Sequence, residues 1–252
     1  MQLKGGVIII GSLLWEDDLI KNGKLRRKAR YNWRNNSLNL HEKTLARLPI
    51  RYGRYSNGKV YTMVFSTRCE RSKRLGTGYV VPFKTRRITD LDFLIEEARK
   101  MAEAEGMKGK FVGGTSQIWA SMGILINKKR VNAKNCGQII ARWAKEFQRD
   151  GGGKDISEYR VGKEKRSINK MGELQIQWPT SVDRRKDAGI REIDFLIAVS
   201  TKPRFGQSGK AKYPSSNEIA ATVRSDSTRR YFVNNLLYAI TTFQDNSVIN
   251  LL

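Results

Sequence analysis

Continuously apolar stretches alternate along this chain with stretches whose apolar residues recur every three to four positions. Residues 7–14 (VIIIGSLL) are apolar except where Gly11 and Ser12 interrupt them, the pattern of a buried strand ending in a turn. LPIRYGRYS (48–56) and KVYTMVFS (59–66) read as two strands. Asn57 and Gly58 between them suit a tight hairpin, whose central residues need positive φ. GTGYVVPF (76–83) is a further strand, with Pro82 predicting an edge or a bulge at its end. TDLDFLIEEARKMAEAEG (89–106) is the clearest helix, capped by Thr89 or Asp90 and stopped by Gly106. Its Leu91, Leu94, Ile95, Ala98, Met101 and Ala102 share one face.

SQIWASMGILIN (116–127) predicts a strand and NAKNCGQIIARWAKEFQ (132–148) a second amphipathic helix. Residues 149–173 are Gly-rich, charged and nearly free of large aliphatics, which predicts a mobile basic insertion or linker. Strands at LQIQW (174–178) and IDFLIAVST (193–201) follow. The helices SSNEIAATVRS (215–225), capped by Ser215 or Ser216, and TRRYFVNNLLYAI (228–240) come last. Strands precede a helix and the two then recur, so the expected fold is α/β with a mixed sheet and α+β character. The division expected is residues 1–126 and an added α/β part over 127–252.

Charge changes the picture most. Lys and Arg number 48 against 24 Asp and Glu, a formal charge of +24. Up to Ile126 there are 24 basic and 11 acidic residues, and after it 24 and 13, so the excess is spread over the fold. A field of that size attracts polyanions. Its densest cluster, residues 21–34, holds seven cations around Tyr31 and Trp33. Lys24, Arg26, Arg27, Lys28, Arg30 and Arg34 are the candidate phosphate contacts there, with Trp33 or Tyr31 to stack a base. On this reading, substitutions at Lys128, Lys129 and Arg130 should matter less than those in the cluster.

Two isolated cysteines, Cys69 and Cys136, make neither a disulfide framework nor a CxxC metal knuckle. His41 is the only histidine, which removes most zinc and Ser-His-Asp schemes. Asp183, Asp187, Asp245, Glu173 and Asp194 are acids among cations with no spacing that marks a metal site, and GQSGK (206–210) lacks the phosphate-loop spacing. No apolar run approaches the roughly 20 residues that span a bilayer. The N-terminal sequence has no secretory cleavage pattern, so no membrane association and a cytoplasmic location are expected.

The element order carries a resemblance. A first strand ending in GSL (11–13), a hairpin, the strand GTGYVV (76–81) and an acidic helix closing on Glu105 and Gly106 together resemble the γ-glutamylcyclotransferase-like fold over about residues 5–110. PIRYGR (49–54), YTMVFS (61–66), GTGYVVPF and the closing TFQD (242–245) look like a longer bacterial branch of that group. The resemblance implies that Gly11, Ser12 and Leu13 hold a small γ-glutamyl or related amine-linked substrate through backbone N–H groups. It implies that Glu105, with Glu97 as the alternative two turns earlier, moves the proton without any cofactor. Ile10 stands where the family carries an aromatic residue. Arg51 and Arg54 offer bidentate contacts to a carboxylate or phosphate, but a spacing of three on a strand puts them on opposite faces. The alternative expectation is a catalytically silent basic module that binds nucleic acid or a nucleic-acid-containing complex.

Overall fold

The computed structural model describes residues 2–17, 20–21, 24–25, 29–57, 59–85, 87–114, 117–154, 156–205, 212–226 and 229–252. Strand β1 (Gly5–Ile9) leads into a 3₁₀ turn (Ser12–Leu14), two short strands β2 (Ile20–Lys21) and β3 (Lys24–Leu25), and helix α1 (Ala29–Ser37). Strands β4 (Thr44–Leu48), β5 (Ile50–Tyr55) and β6 (Tyr61–Phe65) precede helix α2 (Thr67–Arg71), strand β7 (Gly76–Pro82) and helix α3 (Leu91–Ala104). Strands β8 (Val112–Gly113) and β9 (Ala120–Ile126), helix α4 (Ala133–Arg149), strand β10 (Thr180–Ser181), helix α5 (Asp187–Arg191) and strand β11 (Phe195–Thr201) follow. Helices α6 (Ser216–Ser225), α7 (Arg230–Leu237) and α8 (Asp245–Ile249) close the chain.

The fold is mixed α/β, as the pattern predicts. One mixed sheet runs in the order β10-β4-β7-β1-β11-β9-β8, with β1 at its centre. Strand β1 pairs antiparallel with β7 and parallel with β11, so Val7 faces Val81 on one side and Ile197 on the other. Every residue of β1 is buried, which is why its sequence is continuous rather than alternating. The hairpin β5-β6 is a separate two-stranded sheet packed against β7 and β11. Helix α3 lies between α1 and α4, burying Leu94, Ile95, Ala98, Met101 and Ala102. At about 1.5–3 kcal/mol for each large aliphatic side chain removed from water, that face fixes the helix against the sheet. Asp90 supplies the cap by accepting from the Asp92 N–H.

Several expectations are corrected. The first strand stops at Ile9, because residues 12–14 turn into a 3₁₀ helix. Pro82 lies in an interior strand, not at an edge. The Phe83 N–H donates to Gly5 O, so the Pro82 nitrogen points the other way, past the end of β4, whose pairing stops at Val80. Residues 149–173 are a packed strap rather than a loose insertion. Ile156, Tyr159, Ser167 and Ile168 are buried, Tyr159 shares a 2.6 Å hydrogen bond with Ser121, and Ser167 shares one of 3.0 Å with Ser200. LQIQW forms no regular strand; Leu174 bridges Ile168 and donates its N–H to Ile124 O of β9, its side chain seated where Gly123 leaves no Cβ in the way. The expected boundary at 126/127 falls inside one sheet, since β11 from the C-terminal part separates β1 from β9. No helix among the described residues is long and apolar enough to cross a membrane.

Candidate active site at the end of the first strand

The carboxyl ends of the parallel strands β1 and β11 open onto a cavity of about 250 Å³, with Ile9, Ile10, Val199 and Thr201 on its walls. The crevice outside the carboxyl ends of parallel strands is where α/β sheets place ligands. Gly11, Ser12 and Leu13 line it from the loop, Glu105 from the end of α3, Arg54 from β5, and Tyr231 from α7. Residues separated by more than two hundred positions therefore meet at one opening.

Glu105 is the residue that ends α3, its N–H bonded to Met101 O. Its half-buried carboxylate receives the Arg30 guanidinium at 3.3 Å. Burial pushes this carboxyl up from its ordinary value; Arg30 opposes the rise and nearby Glu16 adds to it. Arg30 also donates to Ser12 Oγ at 3.0 Å, to Ala104 O at 3.1 Å, and to the Glu16 carboxylate. One cation thus ties the 11–13 loop to the acid. Arg34, one turn on, donates to Leu13 O at 2.8 Å and to Glu16 O, and pairs with Asp17. These bonds satisfy carbonyls that a single helical turn leaves open.

A Cβ on Gly11 would stand 2.8 Å from the Tyr231 hydroxyl, so a larger residue there would push that ring tip aside. The Tyr231 oxygen accepts the Met63 N–H at 3.3 Å, and burial pushes its phenol up to about 12, so it stays protonated near neutral pH. On the opposite wall the Arg54 guanidinium lies over the Trp119 ring, 5.3 Å from its centroid, and donates to Lys202 O at 3.3 Å. Burial, with Arg204 close by, lowers the Arg54 pKa from its ordinary value.

Other candidates lie elsewhere. Glu97 is buried beside Lys100, whose ammonium reaches it at 2.9 Å, and it faces a different hollow between α1 and α3. Arg51 does not line the cavity: it is stacked over Tyr213 at 4.0 Å and Phe243 at 5.3 Å, and a register shift between Tyr52 and Arg54 breaks the alternation of faces expected of the two arginines. Of the two arginines, Arg54 faces the cavity. Within the basic cluster, Trp33 and Arg34 are each 5% exposed and Arg30 is turned to the acids, which removes all three as nucleic-acid contacts. Arg26, Arg27, Lys28 and the 206–210 loop lie outside the described residues, as does the side chain of Lys24.

The five scattered acids stay separate. Asp183 caps its own turn, Asp187 accepts the Ser181 N–H, and Asp194 pairs with Arg130. Glu173 bonds Asn169, and Asp245 holds Thr242. Among the described residues no group of three or more metal-ligating side chains forms.

In comparisons with known proteins, no family model, curated protein or solved structure matches the chain. Sequence reasoning gave Arg30 a different role, as a phosphate contact, and missed Glu16 and Tyr231. The signal for Arg30 and Glu16 was present: the acids Glu16 and Asp17 precede an Arg-x-x-x-Arg pair on a short helix, so the two cations share one face toward them. For Tyr231 no local signal exists, because its contact with Gly11 spans the whole chain.

Proposed function

We propose that this cavity binds a small γ-glutamyl or related amine-linked substrate and cyclises it by acid/base acyl chemistry. The observation that carries the reading is the convergence of the 11–13 loop and the Glu105 carboxyl on one cavity, with the carboxyl raised by burial toward a value suited to proton transfer. In the first step the substrate α-amine attacks the γ-carbonyl carbon and passes a proton to the Glu105 carboxylate. Backbone N–H groups of the loop receive the developing oxyanion. The bond to the leaving amine then breaks, and Glu105 returns the proton to that nitrogen. The products are 5-oxoproline and a free amine, and no redox partner is needed.

Arg54 supplies positive charge on the cavity wall for the substrate α-carboxylate. Tyr231 brings to Gly11 an aromatic hydroxyl of the kind that Ile10 cannot offer. Arg30 is a positioning residue: it holds Glu105 and Ser12 in one arrangement.

Incubation with a panel of γ-glutamyl amines, with 5-oxoproline as the readout, tests the reading. Release by the native protein that falls at least 100-fold in Glu105→Gln is the expected result. No release from any member, or release unchanged by that substitution, overturns it. The alternative, a silent basic module, keeps the charge excess as its support but not Arg30, Trp33 or Arg34.

A further inference from the structure

A groove of about 1070 Å³ runs between α2, the end of β9, α5 and residues 173–180. Because Ile126 pairs with Phe195 and Ile124 with Ile197, this groove borders the amino end of β11, whereas the candidate active site opens at its carboxyl end. The two are separate places on the molecule.

The walls of the groove divide by chemistry. Ile124, Leu174, Ile176 and the half-buried Trp178 form an apolar side. Arg71, Lys128, Lys129 and Lys165 are exposed along it, joined by Arg130 and Arg191. Three acids also line it, and each is already engaged. Glu70 accepts the Gln177 N–H at 2.6 Å, Glu173 accepts from Asn169 at 2.7 Å, and Asp187 accepts the Ser181 N–H at 2.9 Å and pairs with Arg191 at 2.5 Å. Arg130 is likewise held by Asp194. Arg71, Lys128 and Lys129 have no acidic partner among the described residues, and Lys165 has only the electrostatic attraction of Glu70.

Free cations along an apolar wall that carries an aromatic ring match the chemistry of an unpaired nucleic-acid strand. Phosphates need the cations, and unstacked bases need an apolar face. A duplex would present only its charged backbone and leave that face unused. We infer that this groove binds single-stranded nucleic acid, with Arg71, Lys128, Lys129 and Lys165 on the phosphates and a base against Trp178. This reverses the expectation that the Lys128–Arg130 region matters less than the 21–34 cluster. It stands independently of the proposed cyclisation.

The magnitude follows from counterion release. Four neutralised phosphates on a single strand give a slope of log K against log salt near −2.8, or roughly 50-fold weakening from 50 to 200 mM salt. Fluorescence anisotropy with a labelled 20-nucleotide oligo-dT measures it on the full chain. Arg71→Gln/Lys128→Gln/Lys129→Gln should weaken binding at least tenfold at 50 mM and reduce the slope by about 2. Trp178→Phe should weaken binding severalfold and leave the slope unchanged. A control of equal charge change, Arg87→Gln/Lys110→Gln/Lys145→Gln, should change affinity less than threefold.

Unfolding curves must first show each variant folded; should the triple variant fail, the single Lys128→Gln and Lys129→Gln proteins replace it, each lowering the slope by about 0.7. Equal losses in the two triple variants would mean a diffuse field and overturn the inference. So would binding to heparin without binding to the oligonucleotide, or preference for duplex over single strand.

Discussion

Replacing Arg30 by Met probes the candidate site through the cation that joins its parts. Met keeps the apolar stem and removes hydrogen bonds to Ser12, Ala104, Glu16 and Glu105. The Arg30 side chain is 17% exposed, and those of Glu16 and Glu105 are each 19% exposed, so two mostly buried carboxylates are left facing each other. Breaking a buried ion pair by removing one partner costs about 3–5 kcal/mol. Residual solvent access lowers that here to roughly 2–3 kcal/mol near pH 7.5, or about 5–10 °C in Tm for a chain of this size.

The loss depends on pH in a defined direction. Arg30 is the group that holds the Glu105 pKa down, so its removal raises the folded-state value further. Below the ordinary carboxylate value, Glu105 is protonated in both folded and unfolded states, and the deficit is small. It opens as pH rises from the already raised folded value of the native protein through the still higher one of the variant, where Glu105 ionises in the one and is hindered in the other. Urea unfolding of both proteins from pH 4.5 to 8 is the assay. In a cycle with Glu105→Gln, the coupling should be about 1–3 kcal/mol at pH 7.5. A deficit below about 0.5 kcal/mol, a deficit constant across that range, or an additive cycle would refute the arrangement of Arg30 around Glu105.

Under the proposed cyclisation the same titration would govern turnover: the acidic limb of the rate should lie above that of a free glutamate and move to higher pH in Arg30→Met, and a limb that stays put removes Glu105 as the base. Glu164→Ala should cost about 3 kcal/mol in chemical unfolding, because this buried carboxylate accepts from Ser66 Oγ, Arg68 N–H, Val161 N–H and the Tyr213 hydroxyl and fastens the 149–173 strap to α2; a change under 1 kcal/mol would contradict that role. Gly76→Ala should cost about 3 kcal/mol in Tm-derived stability, since its Cβ would come within 2.2 Å of Thr241 O where the C-terminal segment bridges β7; full native stability would mean that bridge does not form.

What was legible in the sequence follows from the range of the forces involved. Strand β1, helix α3 and helix α4 declare themselves because their own residues carry the period and the caps. The 11–13 loop and Glu105 were legible through motif order. Arg30, Trp33 and Arg34 were misread because charge density hides which cations are paired: α1 is too short for a clear period, and its partners Glu16, Asp17 and Glu105 lie up to 75 positions away. The strap over 149–173 looked mobile because its few large residues are spaced irregularly. Its order comes from single long-range bonds such as Tyr159 to Ser121 and Glu164 to Ser66. The groove beside Trp178 was invisible for the same reason, its walls being drawn from residues 67 to 191.

The central claim is that the cavity bounded by residues 11–13 and Glu105 holds a cyclised γ-glutamyl product. Crystals of the protein soaked with 5-oxoproline test it most directly. The account predicts a ring in that cavity, its ring carbonyl at the loop N–H groups, its nitrogen within hydrogen-bond distance of Glu105, and its carboxylate toward Arg54. An empty or water-filled cavity at a soak concentration well into the millimolar range, or the compound bound only elsewhere, would contradict it.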